Sequence, residues 1–268
     1  MKCLLISDLH YAIKQFDWVL SMARAFQVVI IAGDHLDVSS TVDIRAQAVV
    51  ILKYFKRLHD VTQLIVCSGN HDLDTRNAAG EKIARWMGKA RQLGVSTDGD
   101  CLHQDDTVFT ICPWWDGPQT REMVGKQLAA DAVKPKAKWI WVYHAPPDTS
   151  PTSWSGRTNL GDAYLRQWIE HYQPDMVLAG HIHQSPFRQG GSWVDRLGST
   201  WVFNAGRYAG ARPAHIVFDT DEHMALWFSL AGAEVVHLDE PFRRPVQKLT
   251  ELPPWFKSLC LDRDQIQG

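Results

Sequence analysis

Five short apolar runs in this chain each lead directly into side chains that bind metal ions or transfer protons. Leu4-Leu5-Ile6 runs on to Asp8 and His10, residues 28–32 to Gly33-Asp34-His35-Leu36-Asp37, and residues 64–67 to Gly69-Asn70-His71-Asp72. Residues 140–143 reach His144, and residues 177–179 reach Gly180-His181-Ile182-His183. A single Asp or Asn after a strand is an ordinary turn residue. Five such groups in register with strand-like runs point to one shared site, because ligands bind at the carboxyl ends of the strands in an α/β sheet. Carboxylate, amide and imidazole donors gathered there would hold divalent cations or relay protons.

The elements that must position these groups follow from periodicity. Apolar runs at residues 2–7, 28–32, 63–67, 108–112, 139–143 and 176–179 read as strands. Between them, residues 16–25, 41–58, 78–93, 119–132 and 161–171 have an amphipathic, helical spacing. Beyond Gly190 the strands crowd together, at 201–204, 215–219, 224–230 and 234–238, which reads as antiparallel or mixed sheet. The expectation is an α/β fold of two mixed sheets packed face to face with helices outside, in one domain over residues 1–240. Residues 241–268 carry Pro241, Pro245, Pro253 and Pro254 and read as a wrapping tail, whose Trp255 and Phe256 could dock a partner or a second subunit.

Composition narrows the class. The 268 residues are 45% hydrophobic, enough for one large core. Lys and Arg total 28 against 30 Asp and Glu, a net charge of -2, so no global field draws the chain to nucleic acid or membrane. Cys3, Cys67, Cys101, Cys112 and Cys260 include no C-x-x-C pair, and reduced, mostly buried thiols are expected. The first apolar run is too short for a signal peptide, and none approaches the roughly 18 apolar residues of a membrane span. A cytoplasmic location is therefore expected. Most of the 12 tryptophans are expected to serve as packing.

Taken together, Asp8-x-His10, Gly33-Asp34-x-x-Asp37, Gly69-Asn70-His71-Asp72, His144 and Gly180-His181-x-His183 resemble the motif set of the calcineurin-like metallophosphoesterases, in order, over about residues 1–206. The resemblance implies a four-layer α/β/β/α sandwich and a binuclear centre. One metal would be held by Asp8, His10, Asp34 and His183, and the other by Asp34, Asn70, His144 and His181, with Asp34 bridging. A mixed O and N donor set without thiolate suits manganese, iron or zinc, manganese being the first expectation. Phosphoester hydrolysis by a metal-bridging hydroxide would follow. His71 resembles the family's general acid and Asp37 its orienting partner; a carboxylate beside an imidazole favours the protonated form that the role needs. Asp72 reads as a turn cap and His35 as packing.

Substrate signals are sparser. Val38 stands where the Ser/Thr protein phosphatases of this superfamily carry Arg, which disfavours a protein phosphatase and leaves bacterial phosphodiesterases and repair nucleases as the similar branches. Trp114 and Trp115, with Trp154 and Arg157, lie in loops after the fourth and fifth strands and are candidates to stack a nucleotide; a hydrophobic lid or dimer contact is the competing reading. Asn204-Ala205-Gly206-Arg207 resembles the family's late Asn-Pro-Gly loop with Ala in place of Pro, making Asn204, Arg207 and the nearby Arg212 candidate substrate contacts. A phosphodiesterase acting on a small phosphoester or nucleotide is expected. The alternatives are a DNA nuclease, for which Lys134, Lys136, Lys138 and Arg243-Arg244 supply only short basic clusters, and a non-catalytic scaffold.

Overall fold

In the computed structural model, which describes residues 1–259, the run Val28–Ala32 is buried at every position, as a strand covered on both faces must be. That pattern recurs and sets the architecture. In chain order the elements are β1 (Lys2–Ile6), α1 (Ile13–Met22), β2 (Val28–Ala32), α2 (Ile44–His59), β3 (Gln63–Cys67), β4 (Thr75–Arg76), β5 (Lys82–Ile83) and α3 (Met87–Gln92). Next come β6 (Cys101–Gln104), β7 (Thr107–Ile111), α4 (Pro118–Ala132), β8 (Lys138–Val142), α5 (Ala163–Tyr172), β9 (Met176–Ala179), β10 (Val194–Leu197) and β11 (Thr200–Asn204). β12 (His215–Asp219), β13 (Met224–Ser229), β14 (Gly232–His237), β15 (Gln247–Lys248) and α6 (Pro254–Lys257) follow.

Seven strands form one sheet in the order β15-β14-β13-β12-β1-β2-β3, and six form a second in the order β10-β11-β9-β8-β7-β6. β1, β2 and β3 run parallel, as do β7, β8, β9 and β11, so their carboxyl ends share an edge within each sheet. Side chains alternate between two cores along each strand. Cys3 and Leu5 of β1 point between the sheets with Ile140, Leu178 and Phe203, whereas Leu4 and Ile6 point outward onto Phe16 of α1 and Ile51 and Phe55 of α2. On the far side, Trp139, Trp141 and Val177 pack against Leu128 of α4 and Leu165 and Ile169 of α5. Helix, sheet, sheet and helix make the expected four layers.

Three local expectations change. The stretch 78–93 is helical only over α3; ahead of it lies the β4–β5 hairpin. There the Asn77 Oδ1 accepts from the N–H groups of Ala79 and Glu81 at 2.9 and 3.0 Å, a local bond that competes with helix. β6 and β10 were not expected as strands, since their polar residues and edge positions break the apolar pattern. Trp255 and Phe256, read from the sequence as residues that could dock a partner, are buried in α6 against the chain's own first sheet, the Phe256 ring 5.2 Å from Phe228. Residues 260–268, including Cys260, lie outside the described residues. Cys3, Cys67 and Cys112 are free and buried, and Cys101 is free and half-buried. Among the described residues no helix is long and apolar enough to cross a membrane.

Candidate active site

The loops after β1, β2 and β9 turn through strained backbone. Asp8 (φ 58°), His10 (φ 42°), Asp34 (φ 53°) and His181 (φ 66°) all adopt the left-handed region, which costs of order 1–3 kcal/mol for each such residue and persists only where the surroundings enforce it. Here the loops are tied to one another. The Asp8 N–H donates to the Gly33 carbonyl at 3.1 Å, His10 N–H to Asp34 at 2.9 Å, and Gly180 N–H to His144 at 2.8 Å. The His181 N–H donates to the Asp8 carboxylate at 3.1 Å. Two glycines are required by close approach. A Cβ on Gly33 would sit 2.3 Å from the His144 Nδ1, and one on Gly180 would sit 2.5 Å from the Asp8 carboxylate.

These turns bring the expected ligands together. Asp8, His10, Asp34 and His183 each offer an atom within 4.8 Å of the others, as do Asp34, His144 and His181. The Nε2 atoms of His10 and His183 are 3.0 Å apart. Asp34 Oδ2 lies 3.5 Å from His10 Nε2 and 3.2 Å from His144 Nε2, so one carboxylate oxygen faces both groups. Its Oδ1 accepts from the His71 N–H at 2.8 Å, which fixes the carboxylate's rotation. His144 donates from Nδ1 to the Ala32 carbonyl at 2.7 Å; a carbonyl only accepts, so Nδ1 carries a proton and the Nε2 edge faces the site.

Buried polar atoms test whether cations fit here. Asn70 Oδ1 is buried without a hydrogen-bond partner among the described residues, and His144 Nε2 meets the Asp34 carboxylate at 3.2 Å. Leaving the Asn70 oxygen unsatisfied would cost about 1–3 kcal/mol. Carboxylate oxygens and imidazole nitrogens converge there, and the unpartnered Asn70 oxygen lies one residue before His71, whose N–H holds Asp34, so the residues present fit divalent metal ions. Electrostatics agree. Burial opposes protonation of His144, but the Asp34 and Asp8 carboxylates outweigh it and raise this imidazole to about 9. Burial likewise pushes the Asp34 carboxyl up, and His144 and His10 more than reverse it, leaving the group below the usual carboxylate range. His181 is lowered to about 4 by burial and by His144. A cation would replace the shared proton.

His71 stands beside this cluster, its ring edge-on to His10 with centroids 4.5 Å apart. Asp37, His10 and His71 each place an atom within 4.8 Å of the other two. The Asp37 carboxylate is held by the Ser39 N–H and hydroxyl at 2.9 and 2.6 Å. Asp72 is fully buried and caps backbone, accepting from the N–H groups of His35, Leu36 and Gly69 at 2.9, 3.0 and 2.8 Å. His35 donates from Nε2 to the Cys67 carbonyl at 2.9 Å and packs on Phe55 and Trp86.

Two clefts lie near the candidate ligands, one lined by His181 and one by Arg207, whose N–H donates to the His183 carbonyl at 2.9 Å. One, of about 380 Å³, is walled by Trp114, Trp115, Tyr143, Leu160, Tyr164 and His181. The other, of about 500 Å³, lies between Ala12–Gln15 and the loop 207–211 that carries Arg207. The remaining candidates are placed differently. Trp154 donates its indole N–H to the Gln189 carbonyl at 3.0 Å and Arg157 is exposed; neither lines either cleft. Asn204 is buried, with Nδ2 directed at the Thr152 and Ile182 carbonyls and the Ser185 hydroxyl, while Oδ1 accepts from Gly206 N–H. Its polar atoms hold the His181–Ser185 turn instead of facing a cleft. Val38 is exposed. The basic cluster is structural: Lys134 pairs with Asp131, Lys136 donates to carbonyls ending α4, and Lys138 to the Thr220 carbonyl. It sits at the start of β8, opposite the end that leads to His144. Tyr143, Tyr164 and Asp162 also line the first cleft; of the three only Asp162, an acidic residue just ahead of a helical pattern, carries a local signal in the sequence, as an N-cap.

A convergent set of carboxylate and imidazole donors at the strand-end edge of a four-layer sandwich is a cluster that could hold divalent metal ions. The family model described as the calcineurin-like phosphoesterase superfamily domain matches residues 1–223, and the chain belongs to that superfamily. No curated protein matches the chain. Among solved structures it is similar to TT1561 of Thermus thermophilus (TM-score 0.56, 13% identity, covering 88% of this chain and 98% of that one). It is also similar to the purple acid phosphatase PPD1 from yellow lupin seeds (TM-score 0.51, 12% identity, covering 90% of this chain). The chain spans about half the length of that phosphatase, matching 52% of it.

Proposed function

We propose that this chain is a binuclear phosphodiesterase acting on a small, nucleotide-like diester. The observation that carries the reading is the Asp34 carboxylate: Oδ2 lies 3.5 Å from His10 Nε2 and 3.2 Å from His144 Nε2, so it belongs to both ligand groups. Asp8, His10 and His183 would complete one position, and Asn70, His144 and His181 the other. Two divalent ions there, manganese first among them, would polarise a phosphoryl oxygen and lower the proton affinity of bound water. His71 would donate a proton to the departing oxygen while Asp37 steadies its ring. A diester is favoured over a monoester because two separate clefts adjoin the candidate ligands, an aromatic one lined by His181 and one lined by Arg207, whose N–H donates to the His183 carbonyl, giving each substituent a place. A nucleic-acid substrate is disfavoured because the Lys134–Lys138 cluster is committed to the fold.

The test is metal analysis of protein reconstituted with manganese, combined with hydrolysis of bis(p-nitrophenyl) phosphate, p-nitrophenyl phosphate, cyclic nucleotides and single-stranded DNA. Two ions per chain and preference for the small diester are expected, with Asp34→Asn losing both an ion and activity. A single ion per chain, or an Asp34→Asn enzyme of full activity, contradicts the binuclear assignment. Preference for DNA contradicts the substrate assignment.

A further inference from the structure

The aromatic cleft beside His181 has a more specific use, one that rests on the phosphodiester reading. Trp114 packs on both imidazoles of one ligand group, with centroids 5.6 Å from His144 and 5.1 Å from His181. It also stacks on Tyr143 at 6.5 Å. Trp115 forms the next wall, edge-on to Tyr164 at 5.7 Å, and the Arg121 guanidinium lies over the Tyr164 ring at 3.9 Å. Leu160 and Tyr164 are exposed, at 51% and 38%. An aromatic lining continuous with a few polar groups is the kind of wall that small-molecule clefts present.

The cleft's polar floor is already committed. Asp162 Oδ2 accepts from the Trp115 indole at 2.7 Å and the Tyr143 hydroxyl at 2.8 Å. Oδ1 accepts from the N–H groups of Tyr164 and Leu165 at 2.8 and 3.0 Å, capping α5. Four protein donors on two oxygens leave this carboxylate little capacity to read the edge of a ligand. The same bonds fix Trp115 in place, so its face is preorganised.

Position decides which substituent enters. His71, the candidate proton donor, groups with His10 and Asp37, whereas His181 groups with Asp34 and His144. The group whose departing oxygen is protonated lies on the His71 side, and the group beside His181 is the other one. We propose that this cleft is a stacking subsite for a planar aromatic group on the ester substituent that stays on phosphorus, selecting aryl or nucleoside diesters by their flat faces without discriminating between bases.

The test keeps the leaving group constant. Manganese-loaded enzyme is assayed with phenyl, methyl, thymidine and adenosine diesters of p-nitrophenyl phosphate, alongside Trp115→Leu and Tyr164→Leu. Stacking on an aromatic side chain translates into roughly 5- to 150-fold in affinity. The phenyl-to-methyl ratio of kcat/KM is expected to exceed about 5 in the native chain, carried by KM, and to fall towards one in each variant. Thymidine and adenosine esters should rank together. Calorimetric binding of phenylphosphonate against methylphosphonate supplies a readout independent of turnover. If no diester is cleaved but phenylphosphonate is preferred and Trp115→Leu abolishes the preference, the phosphodiesterase reading falls and the subsite stands. If the phenyl-to-methyl ratio is near one in the native chain, or unchanged in both variants, or if thymidine and adenosine esters differ widely, the subsite assignment is overturned.

Discussion

Asp72 holds the candidate site together without touching a ligand position, and replacing it by Asn tests that claim at the level of one atom. Its Oδ1 accepts from His35 and Leu36, just after β2, and its Oδ2 accepts from Gly69, just after β3. Asn in either amide orientation turns one accepting atom into a donor, which then faces a backbone N–H. With Oδ1 kept towards residues 35 and 36, Gly69 N–H is stranded; the flipped amide strands two. Burial, reinforced by the like charge of Asp34, pushes the Asp72 carboxyl up, so removing its charge is not where the cost arises. One stranded buried donor costs about 1–3 kcal/mol. Asp72→Ala strands three, at least about 3 kcal/mol, or about 6–12 °C in Tm for a domain of this size. The loops so tied carry Asp34, Asn70 and His71, and loss of such supporting bonds lowers metal affinity by roughly 10- to 100-fold. Thermal unfolding and manganese titration should therefore rank native above Asp72→Asn above Asp72→Ala on both scales. Equal stability and equal metal affinity in the two variants and the native chain would refute the argument.

Two further outcomes follow from other residues. His71→Ala should keep its metal content while losing roughly 100- to 10,000-fold in kcat on diesters with alkoxide leaving groups, and less with p-nitrophenolate, which departs without a proton; equal losses on both would remove His71 from the proton-donor role. His215 is 4% exposed, stacked on Phe228, and lowered by burial from 6.5 to about 4. A depressed histidine stabilises the fold fully above pH 6.5 and loses that contribution as pH falls towards 4, by up to about 3 kcal/mol. His215→Phe should accordingly flatten the fall in urea midpoint between pH 7 and pH 4.5, and an unchanged slope would assign the acid sensitivity elsewhere.

The clustering of the candidate ligands was legible in the sequence because their presentation is a local event. An apolar strand must end, and the residue that follows β1, β2, β3, β8 or β9 is carried to the sheet edge wherever its neighbours lie. Metal chemistry also restricts the residue type, so Asp8, His144 and His183 stand out against their surroundings. Groups that hold the site carry no such mark. Asp72 bonds residues 35 and 36 across more than thirty positions, and Glu81 caps α4 from the β4–β5 hairpin by accepting from the Gln119 and Thr120 N–H groups at 2.8 and 2.7 Å. Their types are those of any surface carboxylate, and only packing reveals their partners. The same limit explains the helix expected over 78–93: apolar spacing cannot register that Asn77 satisfies its own turn, or that Lys82 N–H is taken by Asp116 at 2.7 Å. It also explains the mixed outcome for the loop tryptophans. Trp114, Trp115 and Trp154 look alike in sequence, yet two wall the cleft beside His181 and the third packs on the chain at Gln189. Reaction type depends on strand ends and is written locally; substrate selection depends on how separate loops meet, and is legible only once they are folded against each other.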